Sequence, residues 1–202
     1  MTSAVPVAQS RRVARALVAA ACLTIAFAAS AQKSPPAAKP ATLDFGGTTY
    51  EHRWSKGGQN EFTPRGDADL SRWHDMVTID VHAAVGNGEA LAEVANRVLT
   101  AYQSHGKIVR TDSKPRTSQR PAEHLIVAVL GSEGFLEAAF ARFVLIDSVG
   151  VVAVYSHRVY GQKAGNAMSD WLKTNGPSIE TTLMSWNGVP SMAALRRLPQ
   201  SN

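Results

Sequence analysis

Three apolar runs crowd into the second half of the chain: Glu123 to Leu130 (EHLIVAVL), Glu137 to Ile146 (EAAFARFVLI) and Val151 to Tyr160 (VVAVYSHRVY). Their β-branched and aromatic content, and their length, predict strands apolar enough to be central in a sheet. The last two are separated by the turn-compatible quartet Asp147-Ser148-Val149-Gly150, so they are expected to form an antiparallel hairpin. Any fold for this chain has to be built around that sheet.

The remaining segments are read against it. Thr48 to Trp54 (TTYEHRW) places Tyr50, His52 and Trp54 on one face of a strand and Glu51 and Arg53 on the other. Val77, Ile79 and Val81 alternate with Thr78, Asp80 and His82, the period of a half-buried strand. Between these two lies Ser55 to Ser71, a Gly- and charge-rich passage containing Phe62-Thr63-Pro64 and closing in a helical turn that places Trp73.

After Gly86-Asn87-Gly88 the period changes, and Leu91, Val94, Ala95, Val98, Leu99 and Tyr102 form one stripe of an amphipathic helix over 89–104. Asn87 is expected to cap it, and Gly106 to end it in the left-handed conformation. Lys107 to Asp112 reads as an edge strand. Asn166 to Trp186 again has helical spacing, with Gly176-Pro177 expected to divide or kink it.

Helices not interleaved one-for-one with strands predict an α+β fold, an antiparallel β-sheet with helices packed on it. Val77, Ile79, Val81, Leu125, Val127, Val129, Phe143, Leu145, Val152 and Val154 are expected to face a helical layer containing Leu91, Val98 and Tyr102. The order of TYEHRW, MVTIDVH, GEALAEVANRVLTAY, EHLIVAVL and VVAVYSHRVY, followed by WLKTNGPSIETTLMSW, resembles the PsbP-like α/β sandwich over most of 46–186. The resemblance is one of topology. It implies a non-catalytic binding or assembly role and carries over no functional residue. The chain is also similar to the many uncharacterised exported proteins of bacteria.

Export is expected from the first 31 residues. Arg11, Arg12 and Arg15 precede the apolar run Ala16 to Phe27, no acidic residue occurs before Asp44, and Ala29-Ser30-Ala31 supplies small residues for a cut after Ala31. The run is shorter than the roughly 20 residues a membrane span needs, so no transmembrane segment is expected in the mature chain. Val13, Ala14 and Arg15 argue against a twin-arginine signal, and the residues around Cys22 against a lipoprotein signal. Localisation is expected to be periplasmic or secreted.

Three of the 21 basic residues and the only cysteine leave with that leader. The basic precursor is therefore no argument for nucleic acid. A cysteine-free exported domain has neither disulfides nor a thiol nucleophile, and must be held by an ordinary core. Residues 32–42 (QKSPPAAKPAT) read as a Pro-rich tether, 43–187 as a single α+β domain and 188–202 as a C-terminal tail.

Catalytic motifs are weak. Ser156-His157 and Glu123-His124 are strand neighbours and point to opposite faces. Gly131-Ser132-Glu133-Gly134 lacks the spacing of a nucleophile elbow, and Gly86-Asn87-Gly88 lacks the third glycine of a dinucleotide loop. The six histidines are scattered singly, although His52, His82 and His157 lie on strands that folding could gather. No catalytic residue, metal or cofactor is assigned.

The remaining candidates are cationic and aromatic. Lys107, Arg110, Lys114, Arg116 and Arg120 share a Ser/Thr/Pro-rich stretch whose only acid is Asp112. As a solvated loop it needs no function; as an anion site it would use Arg110, Lys114, Arg116 and Arg120 with Arg158, while Phe62 and Trp73 offered apolar surface. The aromatic set Trp54, Phe62, Trp73, Trp171 and Trp186 serves either a ligand groove or the core. The expected function is a non-catalytic ligand- or protein-binding module of the cell envelope, with an anionic envelope lipid or an acidic protein as partner. The alternative is a secreted hydrolase whose Ser, His and acid are brought together by the fold.

Overall fold

The computed structural model describes residues 40–201. The segment expected as a leader, and most of that expected as a tether, lie outside the described residues. Eight strands and three helices follow: β1 (Thr42–Phe45), β2 (Thr48–Lys56), β3 (Gln59–Pro64), β4 (Asp75–His82), α1 (Gly88–His105), β5 (Gly106–Lys114), β6 (Glu123–Ser132), β7 (Phe135–Ile146), β8 (Val149–Tyr160), α2 (Ala164–Ser185) and α3 (Met192–Leu195). The strands form one sheet in the order β1-β2-β3-β4-β8-β7-β6-β5. Every neighbouring pair is antiparallel, so the α+β class expected from the sequence is the class observed.

The sheet is two four-stranded meanders joined through β4 and β8. Helix α1 carries the chain from β4 to the far edge, and β5 to β8 then return strand by strand until Ile79 lies opposite Ala153. The β7–β8 hairpin closes through Asp147 and Ser148, whose φ values of 50° and 59° give the left-handed two-residue turn that matches strand twist.

Asn87 caps α1 as expected, its side chain accepting from the Ala90 N–H at 2.9 Å. Gly106 does not end α1 in the left-handed region: its φ is −178°, and it starts β5 directly. Glycine is required there for space, because a Cβ would lie 2.1 Å from the Val129 carbonyl oxygen.

Helices cover both faces of the sheet, which divides the single face expected from the sequence. Val77, Ile79, Leu125 and Val127 pack with Phe140, Tyr155, Met168 and Leu183 on the α2 face. Phe143 and Val152 pack with Leu91, Val94 and Ile126 on the α1 face, where Val98, Leu145, Val154 and Tyr102 join them. The reason is strand register: Val127 pairs with Phe140 and Ile126 with Ala141, so Val127 and Phe143 fall on opposite sides of the pleat. Two helical layers allow β6, β7 and β8 to be apolar on both faces.

Elsewhere tertiary contacts extend what local pattern suggests. The polar passage after β2 contains β3, and Phe62 is only 1 % exposed within it. Pro177 does not divide α2, which runs unbroken from Ala164 to Ser185. The segment expected as a tail carries Met192, Leu195 and Leu198 into the α2-face core, and the Ser201 N–H donates to the Ser55 carbonyl at 2.7 Å. Three buried apolar side chains outweigh the surrounding polar sequence in deciding where this segment lies.

Candidate functional site

The residues expected to act together on a ligand separate into three places. At the start of β7, Arg158 lies between the rings of Trp73 and Phe135, 3.9 and 4.1 Å from their centroids, with Nε bonded to Glu137 at 2.8 Å. Trp73 is buried and Phe62 lies in the opposite core, so these aromatics do not offer ligand surface. Trp171 is also structural: it stacks flat on His157 at 4.0 Å. Trp186 packs edge-on against Phe45 at 5.3 Å.

On the edge strand, Arg110 is paired with Asp112 at 2.8 Å and with Glu180 of α2 at 3.3 Å. Lys114 donates to the Met184 carbonyl and lies 3.7 Å from Glu123. These two cations tie β5 to α2. The expected loop is thus shorter than its composition suggests, because residues through Lys114 are strand.

The third place is a cleft. Residues 115–122 connect β5 to β6, and Thr117 folds them into a turn: its hydroxyl oxygen accepts from the N–H groups of Gln119 and Arg120 at 3.2 and 3.1 Å. That turn brings Arg116 and Arg120 to one cleft of about 820 Å³ facing the start of α1 and the β7–β8 turn. Among the described residues neither arginine has a carboxylate within ion-pair distance, unlike Arg110, Lys114, Arg142 and Arg158. The cleft lies at the far end of β7 from Arg158, about 30 Å away along the strand.

His124 and Leu145 also line the cleft, as do Asn87, Gly88 and Glu89 at the start of α1. The His124 ring is held by a bond between Nδ1 and the Ser113 hydroxyl at 3.0 Å. Its Nε2 is buried with no hydrogen-bond partner among the described residues. The first N–H groups of α1 have no acceptor within the helix and favour negative charge; the Glu89 carboxylate in the first turn complements them and works against a further anion. Sequence reasoning found Arg116 and Arg120 from composition but missed His124, because only pairing of β5 with β6 places it beside Ser113.

Serine and histidine do meet, in arrangements unsuited to nucleophilic catalysis. His52 Nε2 lies 2.7 Å from Ser55 Oγ, but Ser55 is fully buried and donates its own proton to Asn60 Oδ1 at 2.7 Å. Burial also lowers the His52 pKa. His157 Nδ1 lies 2.9 Å from Asp75 Oδ1, yet Ser156 faces the other side of the sheet, as strand alternation requires. Glu123 and His124 divide in the same way: Glu123 pairs with Arg142, and His124 lines the cleft.

Among the described residues no three His, Cys, Asp or Glu side chains gather as metal ligands. His52, His82 and His157 go instead to Ser55, Asp80 and Asp75. No helix among the described residues is long and apolar enough to cross a membrane.

No family model matches the chain, and no curated protein matches it. Among solved structures it is similar to a Pseudomonas aeruginosa protein of unknown function, with a TM-score of 0.42 and 13 % identity over 76 % of this chain and 99 % of that one. It is also similar to the Ran-binding protein Mog1p of Saccharomyces cerevisiae, with a TM-score of 0.45 and 13 % identity over 72 % of this chain and 92 % of that one. The antiparallel sheet carrying helices is observed, and neither of these two neighbours is described as a PsbP protein.

Proposed function

We propose that this chain is an exported cell-envelope protein whose α+β domain is a non-catalytic binding module, taking an anionic group in the cleft between the 115–122 loop and the start of α1. One observation carries the reading: Arg116 and Arg120 converge on that cleft with no carboxylate within ion-pair distance among the described residues, Glu89 being the one acid in its lining, while the neighbouring cations are engaged. Two guanidiniums beside a helix start attract anions and present planar donors to their oxygens. Leu145, Pro121 and Ala122 supply apolar surface beside them.

Export rests on the leader sequence. N-terminal sequencing or intact mass of material from the cell envelope should give a chain beginning at Gln32, and a lipid-modified Cys22 would overturn the reading of the leader. Binding is tested by reversing Arg116 and Arg120 together to Glu. Association with anionic ligands should be lost at low salt, and the wild-type protein should itself bind more weakly as salt screens charges beyond roughly 8–10 Å. The fold should survive, because both side chains are exposed. Unchanged binding in the double variant would remove the cleft from the function.

A further inference from the structure

We propose that the occupant of the anion cleft is an extended acidic peptide segment, which runs past Arg120 into a second cleft at the end of α2. The inference rests on the reading of the first cleft as an anion site and adds the class of partner. Arg120 and Leu145 line both clefts, so the two adjoin with Arg120 at the junction. The second has a volume of about 490 Å³ and is bordered by Lys114, Glu123, Arg142 and Trp186. Together with the 820 Å³ of the first it exceeds the roughly 300–1,000 Å³ of small-molecule sites. A single small anion leaves most of that space empty.

Positive charge runs through both clefts. The one carboxylate in the lining of the second, Glu123, is shared: Arg142 holds it at 2.8 Å and Lys114 lies 3.7 Å away. One positive charge is left over there before Arg120 is counted. In the first cleft Arg116 and Arg120 stand against Glu89 as the only acid in the lining. Cations are therefore spaced along the depression rather than gathered at one point. That spacing suits carboxylates repeated along a chain, whose individually weak attractions become cumulative through their linkage.

A peptide also needs partners for its main chain. Gln119 in the first cleft and Asn187 in the second are exposed and carry amides that both donate and accept. A lipid surface needs something different, because proteins that lie on a bilayer bury large apolar side chains in it. The one exposed large hydrophobic residue among the described residues is Val109, which lines neither cleft.

The test is calorimetric titration of the full chain at low salt with a capped decapeptide of alternating Glu and Ala, and with N-acetylglutamate amide as a single carboxylate. Sedimentation with phosphatidylcholine vesicles containing phosphatidylglycerol runs beside it. The decapeptide is expected to bind at least tenfold more tightly than the single carboxylate, and the vesicles to leave the protein in solution. The double variant R116E/R120E should abolish peptide binding. Lys114→Gln should narrow the advantage of the peptide over the single carboxylate at least threefold, because its exposed ammonium belongs to the second cleft. Tryptophan emission reads the second cleft directly: the peptide should shift it, N-acetylglutamate amide should not, and the shift should vanish in Trp186→Phe. If Lys114→Gln melts early, the emission shift decides.

A decapeptide no tighter than the single carboxylate, an unchanged advantage in folded Lys114→Gln, or an emission shift that persists in Trp186→Phe would overturn the peptide assignment and leave the anion site standing. Vesicle capture without peptide binding would do the same and make a membrane the occupant. Failure of the single carboxylate, the peptide and the vesicles alike to bind the wild-type protein would overturn both.

Discussion

Arg142 donates from Nη1 to the main-chain carbonyl of Trp186 at 2.7 Å, so a strand in the middle of the sheet holds the end of α2. The same nitrogen reaches the Leu183 carbonyl at 2.9 Å, and Nη2 pairs with Glu123 at 2.8 Å. The C-terminal carbonyls of a helix lack intrahelical partners, and a buried guanidinium supplies donors for them while Glu123 neutralises its charge. Replacing Arg142 by Met takes the donor from the Trp186 carbonyl and leaves Glu123 with only Lys114, at 3.7 Å. A loss of about 3 kcal/mol is expected in denaturant unfolding. A loss below about 1 kcal/mol would show that α2 is anchored by apolar packing alone.

Acid should weaken the fold through Asp75. Burial works to raise its pKa, but hydrogen bonds from His157 and Tyr155 at 2.9 and 2.6 Å prevail, and the net shift is downward from 3.8. The folded state therefore holds fewer protons than the unfolded chain near that pH. The stability this gives is complete above about pH 4–5 and lost as pH falls through the folded-state value. Asp75→Asn should flatten that acid limb in melting temperature measured against pH; an unchanged slope would assign acid sensitivity to other carboxylates.

Val127 is 1 % exposed on the α2 face. Val127→Asp buries an unpaired carboxylate there and should cost several kcal/mol. Near-wild-type thermal stability in this variant would contradict the strand register.

Leu195 tests the end of the chain. It is 4 % exposed against the α2-face core, so Leu195→Ala should cost about 2–5 kcal/mol, the range for a buried leucine. A protein stopped after Asn187 should lose more, since Met192 and Leu198 go with it. Stability unchanged by the truncation would return residues 188–202 to the status of a tail.

Local pattern alone determined the α+β class, the capped amphipathic helix after Asn87, the β7–β8 hairpin and the edge strand after His105. Each follows from residues near in sequence: period-two or helical spacing, a turn quartet, a capping side chain. The incompatibility of Ser156-His157 with a nucleophile–base pair was equally legible, because alternation along a strand is local geometry.

Tertiary structure decided the rest, for the reason that face and partner depend on register between distant strands. Val127 and Phe143 are both apolar in sequence, and only pairing of β6 with β7 assigns them to opposite helices. Phe62 sits in a polar-looking segment and became core because β3 is hydrogen-bonded between β2 and β4. The cations Arg110, Arg116 and Arg158 are alike by composition. Asp112 and Glu180 occupy the first, Glu137 and two rings the third, and the fold alone left the second facing a cleft beside His124.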